Sequence, residues 1–433
     1  MGRGHGDRVR DLLMALEITS ARPDPALFDL PWSIPLADWP AEHLAALPRG
    51  ISRHVVRFAR LSGRVIAIKE IEASLAAREY RMLRALGRLH LPCVEPVGVV
   101  TGRVSATGEP LDACLVTRQL QFSLPYRALY SQSLRPDTAA RLIDALAVLL
   151  VKLHLDGFWW GDVSLSNTLF RRDAGAFAAY LVDAETGELH ERLSDGQRDH
   201  DLEIARVNIA GELMDLEAGG FLESHTDPVD TATEIVRRYH SLWGELTAIE
   251  RFGLGDRWRV DERIRRLNAL GFDVDELAMS TDFDGTTLQI QPKVVDSGHH
   301  SRRLLRLTGL DVEENQARRL LNDLDSFRAA TDRLGEDESL VAHDWLVNVY
   351  EPTVRAIPRE LTGKLEAAEV FHEVLEHRWY LSERANHDTP LAAAIEDYVR
   401  VILPAKPDER AVLGVDTVAM PVLADLEGVE GPE

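Results

Sequence analysis

The first regular pattern in the chain is a pair of apolar runs. In RHVVRFARLSGRVIAIKEI, residues 53–71, they flank the turn-forming LSGR, which predicts two strands joined by a tight connection. The period then changes. In EASLAAREYRMLRAL, residues 72–86, Leu75, Tyr80, Leu83 and Leu86 share much of one helical face, with Gly87 as a stop. VEPVGVVTGRV and DACLVTRQL read as two further strands, and Asp137–Leu155 as a long buried helix. TLFRRDAGAFAAYLVDAE reads as a hairpin with Asp173-Ala-Gly175 at its tip. DHDLEIARVNIAGELMDLEAGG then forms a helix that ends at Gly219-Gly220.

Beyond about residue 221 the pattern becomes mainly helical, clearest in ENQARRLLNDLDSFRAAT, with one strand-like patch, TTLQIQPKVVD. Residues 1–47 form an N-terminal arm rich in Pro and Trp that packs on a domain. Residues 48–220 form one domain, with a strand-rich part to about 120 and a helical part after it. Residues 221–405 form a mainly helical domain, and 406–433 an acidic, flexible tail. The fold class is α+β.

Composition narrows the function. A chain of 433 residues with 45% hydrophobic content buries ample core. A net charge of −22 argues against nucleic-acid and anionic-membrane partners, which need a positive field. LIDALAVLLVKLHL is interrupted by Asp144 and Lys152, so no membrane span is expected, and no secretory leader is read at the start. Two cysteines, Cys93 and Cys114, make no disulfide framework. The expected compartment is the cytoplasm.

Five polar residues stand out in the first half. Lys69 ends the strand VIAIK, and Glu79 lies ten residues on in the next helix. Asp162 and Asn167 sit in the loop GDVSLSN, and Asp183 ends AYLVD. Singly, each suits an ordinary surface lysine, helix glutamate or turn residue. In order, they resemble the protein-kinase-like superfamily. VIAIKE is similar to its lysine strand, REYRML to its glutamate helix, GDVSLSN to its catalytic loop and LVDAE to its metal-binding strand end. The nearest resemblance is to atypical bacterial lipopolysaccharide-kinase-like and aminoglycoside-phosphotransferase-like proteins. FHEVLEHRWYLSERANHDTPLAAAIEDYV resembles a domain of unknown function that follows such a half in actinobacterial proteins.

The resemblance implies a two-lobed domain over roughly residues 48–218, with ATP between the lobes, and a phosphotransferase acting on a hydroxyl-bearing substrate. Lys69 would contact the α- and β-phosphates and Glu79 would hold its ammonium. Asp183 and the Asn167 amide oxygen would bind Mg²⁺, a hard cation that prefers oxygen ligands. Asp162 would accept the substrate hydroxyl's hydrogen bond and then its proton. The chain departs from the pattern before the second strand: RGISRHVV carries no G-x-G-x-x-G. Backbone amides from Gly50 and Ser52 to His54 would cap phosphates instead. The base would lie near Arg118–Leu120, which assigns Gln119 and Leu120 to nucleotide. Trp160 and Gly161 stand where protein kinases have His and Arg. Glu185 offers a second metal ligand or faces solvent. Asp201 either bonds the catalytic-loop backbone or serves as a carboxylate near a helix N-terminus. A pseudokinase, binding nucleotide or a partner without chemistry, is the alternative.

The second half offers less. His372 and His377 are five apart, whereas a zinc-protease helix needs four, so that reading is rejected. His299, His300, Arg302, Arg303 and Arg306 cluster as a solvated helix start or, less favoured, an anion site. Trp379, Tyr380 and Tyr398 are expected in the core.

Overall fold

The computed structural model describes residues 16–45, 54–130, 136–222, 227–253, 256, 258–281 and 287–410. The chain divides into two compact units, one running to Leu120 and the other starting at Gln121.

The first unit is a five-stranded antiparallel sheet with one helix. Its strands are β1 (Glu17–Thr19), β2 (Val55–Leu61), β3 (Arg64–Ile71), β4 (Pro96–Thr101) and β5 (Ala113–Arg118), in the order β1-β4-β5-β3-β2. β2 and β3 meet at Ser62-Gly63, with Leu61 paired to Arg64, as the alternating pattern predicts. Helix α1 (Ala73–Arg88) runs between β3 and β4. It passes through Gly87 instead of stopping there and ends at Leu89, whose amide bonds back to Ala85. Its buried stripe is Ala76, Glu79, Tyr80, Leu83 and Leu86, so one acid shares the apolar face. The described part of the arm, residues 16–45, packs on the sheet. Leu27, Trp32, Leu36 and Trp39 are buried against Ala59, Ile66, Ile68 and Val116 of the sheet. Buried Arg103 ties arm to sheet, bonding the Trp32 and Ile34 carbonyls at 3.0 and 2.8 Å and Glu70 at 2.6 Å. Neither cysteine is bonded to the other, and burial pushes both thiols up to about 12.

The second unit opens with β6 (Ser123–Pro125), short helix α2 (Tyr126–Tyr130) and the long α3 (Pro136–Leu155). The two-residue β7 (Phe158–Trp159) follows, then β8 (Thr168–Asp173) and β9 (Ala176–Leu181). β8 and β9 form the predicted hairpin. Ala174 and Gly175 take positive φ at its tip, the geometry of a two-residue turn whose twist matches the strands. β6 joins β8 to make three strands, and β10 (Glu188–Leu189) pairs with β7. Helix α4 (Asp195–Ala218) starts at a capping box, Ser194 with Gln197, and stops at Gly219. α5 (Pro228–Thr247) packs on α3 and α4.

The remainder differs from the expected helices in one respect. A three-stranded antiparallel sheet is present, β11 (Glu250–Gly253), β12 (Phe272–Thr281) and β13 (Thr287–Ser297), with α6 (Trp258–Ala269) between β11 and β12. The sequence showed only the β13 patch. β12, FDVDELAMST, mixes acids with apolar residues and carries a register irregularity near Glu276, which hides its period. Helices α7 (His299–Thr308), α8 (Glu314–Ala330), α9 (Glu338–Trp345), α10 (Glu351–Arg355), α11 (Ala367–Ala385) and α12 (Leu391–Asp397) complete the unit. Leu320, Leu324, Trp345 and Phe371 centre one core; Val370, Val374, Tyr398 and Leu403 form a second. The protein is thus mixed helix and strand, with a sheet-containing N-terminal region and a mainly helical C-terminal region. Among the described residues, no helix is long and apolar enough to cross a membrane. The tail from residue 411 onward lies outside the described residues.

Candidate active site

In the first unit, β3 and α1 bring Lys69 and Glu79 together. The Lys69 Nζ lies 3.1 Å from a Glu79 carboxylate oxygen, and the Glu79 side chain is 1% exposed. A carboxylate so deeply buried is costly unless a charge meets it, and the strand lysine does. Glu79 therefore stands within an apolar helical stripe without breaking it. At the far end of β5, the Arg118 amide donates to Glu95 at 2.8 Å and the Gln119 amide to Val65 at 3.1 Å. Those two N–H groups serve the sheet. Gly50 and Ser52 lie outside the described residues.

In the second unit the loop after β7 is built from three directions. Asp201 of α4, fully buried, accepts the Trp160 amide at 2.9 Å and the Gly161 amide at 2.8 Å. The His154 Nε2 sits 3.1 Å from the same carboxylate, and its Nδ1 is 2.7 Å from the Tyr239 hydroxyl. Of the two readings of Asp201, the loop-bonding one is the observed one. Gly161 has φ +75°, and a Cβ there would stand 2.7 Å from the Trp159 ring. That explains the glycine just before Asp162: the chain must turn left-handed under a large side chain.

Asp162 follows, partly exposed, in the grip of two amides. Asn167 Nδ2 donates to the Asp162 carbonyl at 3.0 Å and to its Oδ2 at 3.1 Å. Asn208 Nδ2, from α4, donates to Asp162 Oδ1 at 3.3 Å and to the Val163 carbonyl at 3.1 Å. Each amide spends one N–H on backbone and one on a carboxylate oxygen, so both oxygens of Asp162 are held in direction. One helical turn along, Glu212 accepts the Leu165 amide at 2.6 Å and the Ser166 amide at 2.9 Å. Burial raises the Glu212 carboxyl above the usual range, against the pull of the Ser166 and Leu165 hydrogen bonds.

Asp183 comes to the same place through the hairpin. The Val182 amide donates to the Asn167 carbonyl at 3.0 Å, so the residue after it leaves β9 beside the loop. Its carbonyl accepts the Trp160 indole N–H at 2.8 Å, and its Oδ1 accepts the Glu185 amide at 2.9 Å. The Glu185 side chain is partly buried, between the two roles expected for it. The Asn167 amide nitrogen is turned to Asp162. A carboxylate and an amide oxygen are hard donors of the kind a magnesium-like cation takes.

Asn208 and Glu212 were missed in the sequence. With Asp201 they fall at i, i+7 and i+11 on α4, Asn208 and Glu212 each within about 20° of Asp201 around a helix of 3.6 residues per turn. Three polar residues on one stripe of a long helix was the available signal. The basic cluster on α7 resolves the other way from an anion site. His299 and Arg302 meet Asp273, His300 meets Glu314 and Arg303 meets Glu338. His377 bonds Asp397 at 2.9 Å. Tyr398 is in the core as expected. Trp379 and Tyr380 are not: they are 58% and 51% exposed and pack edge-on to each other.

The first unit carries a lysine–glutamate pair on strand and helix, and the second carries a loop that couples an aspartate to an asparagine beside a strand-end aspartate; these are the elements on which the kinase-like resemblance rests. The comparisons agree. Residues 58–210 match the lipopolysaccharide kinase (Kdo/WaaP) family model, and residues 241–403 match a domain of unknown function, DUF4032. Together they support the kinase-like resemblance, with a second family match in the C-terminal half, and with them a kinase-like phosphotransferase. Among solved structures, "WaaP in complex with acyl carrier protein" matches at 14% identity, covering 59% of this chain and 99% of that chain, with a TM-score of 0.34. No curated protein matches the chain.

Proposed function

We propose that the protein is an ATP- and Mg²⁺-dependent phosphotransferase acting on a hydroxyl group. One observation carries the reading beyond nucleotide binding. The Asn167 amide bonds the Asp162 carboxylate at 3.1 Å, which ties a proton acceptor to a metal-ligand candidate through one side chain. A module that only binds nucleotide has no use for a carboxylate fixed at both oxygens.

Lys69, held by Glu79, would meet the α- and β-phosphates, and the base would lie beside Gln119 and Leu120. Asp183 and the Asn167 oxygen would hold the cation, which neutralises charge on the phosphate oxygens. Asp162 would orient the acceptor hydroxyl toward the γ-phosphorus. As the new O–P bond forms, the bond to the bridging oxygen breaks, ADP leaves, and the hydroxyl proton passes to Asp162. Capping of the phosphates by Gly50 and Ser52 amides belongs to the same proposal.

Phosphate release from Mg-ATP, with water as acceptor, tests it in Asp162→Ala. Turnover should fall by about 10²–10⁴-fold, the range for losing a positioned acid–base group, while ATP affinity by calorimetry is preserved. Equal turnover in wild type and variant would remove Asp162 from the chemistry, and ATP binding without turnover in either would favour the binding module instead.

A further inference from the structure

Resting on the reading above, we infer that Asn208 and Glu212 are positioning residues for the reaction, a two-point clamp through which α4 sets the direction of Asp162 and the course of the loop to Asn167. Neither is expected from the sequence motifs, and neither would touch the nucleotide.

The chemistry of the clamp is specific. Asn208 donates to the Asp162 carboxylate from α4, outside the loop, as Asn167 does from within it. Its second N–H, on the Val163 carbonyl, fixes the peptide that follows. Glu212 takes the amides of Leu165 and Ser166, with one oxygen each. Ser164 completes the segment from within: its hydroxyl accepts the Asn167 amide at 3.2 Å. The loop is thus held at Asp162, Val163, Leu165, Ser166 and Asn167. Since α4 also holds Trp160 and Gly161 through Asp201, a single rigid helix anchors the loop at both ends. Reacting groups displaced by about 1 Å lose on the order of 10²-fold in rate, so fixing the loop is of direct catalytic value.

The test measures kcat and the ATP KM of Mg-ATP hydrolysis in the full chain, with circular dichroism melting to report the folded fraction. Asn208→Ala should lower kcat at least tenfold with KM for ATP within about threefold. Asn208→Asp keeps the side chain's shape but replaces the donor with an acceptor, so it should fall as far or further. Glu212→Gln, which keeps one acceptor oxygen, should lie between wild type and Glu212→Ala. A role confined to packing predicts the reverse order for Asn208, with the isosteric Asp near wild type and losses that follow the folded fraction. That order, or kcat within twofold of wild type in both Asn208→Ala and Glu212→Ala, overturns the clamp while leaving the phosphotransferase reading standing. Wild-type protein without Mg-ATP turnover overturns both.

Discussion

Asp201 fixes the start of the loop that carries Asp162. Its two oxygens receive the Trp160 and Gly161 amides and face His154, and its own side chain is fully buried. Truncation would strip acceptors from buried donors, and unsatisfied groups of that kind are expensive. Asp201→Ala should therefore destabilise the second unit by about 3–5 kcal/mol, read from urea denaturation midpoints. A cost below about 1 kcal/mol would mean the loop finds other partners. At this scale the sequence is informative where a residue type is unusual for its place. Lys69, Asp162, Asn167 and Asp183 were legible because order and spacing mark them. Asn208 and Glu212 were not, since an asparagine and a glutamate on a long helix are ordinary surface residues until the loop is laid against them. Trp379 and Tyr380 misled in the opposite sense. Aromatic size predicts burial on average, but α11 turns both outward.

At the scale of elements, the β8–β9 hairpin is locked to the helices that follow it. Asp173 at the end of β8 accepts the Gln316 amide at 2.7 Å and the Asn315 side chain at 2.8 Å, which makes it a cap for α8 supplied from elsewhere in the chain. Glu369 of α11 accepts from the Ala174 amide at the hairpin tip and from the Gln316 side chain. Arg171 bridges Glu313 and Glu366 at 2.9 and 2.5 Å. Burial, with the Glu313 charge behind it, lifts Asp173 to about 7 against its hydrogen-bond donors. The unfolded carboxyl titrates near 3.8, so the folded state holds the extra proton between about pH 4 and 7. The stability this provides is full below pH 4 and is lost as pH rises through 7. The free-energy advantage of wild type over Asp173→Asn should accordingly shrink between pH 5 and 8, by an amount on the order of a few kcal/mol. An advantage that is flat or grows with pH would show that Asp173 is ionised throughout. The hairpin itself was legible from its turn and alternation. Its docking was not, because the partners of Asp173 lie more than 140 residues on and no local pattern announces them. β12 was lost for a related reason: its irregular register blurs the two-residue period on which strand recognition depends.

The whole molecule carries a net charge of −22, yet the proposed ligand is a polyanion. On the proposed function, an unfavourable long-range field leaves affinity to local cations, which would be Lys69 and a Mg²⁺ held by Asp183. The central claim is that these two act on one nucleotide. It is tested most directly by a double-mutant cycle in Mg-ATP binding, measured by calorimetry on wild type, Lys69→Ala, Asp183→Ala and the double variant. Shared contact with one triphosphate predicts that each single substitution weakens binding, and that the double loss departs from the sum by more than about 0.5 kcal/mol. Asp183→Ala should also abolish the dependence of affinity on Mg²⁺. Losses that add, or ATP affinity indifferent to either residue, would contradict the account.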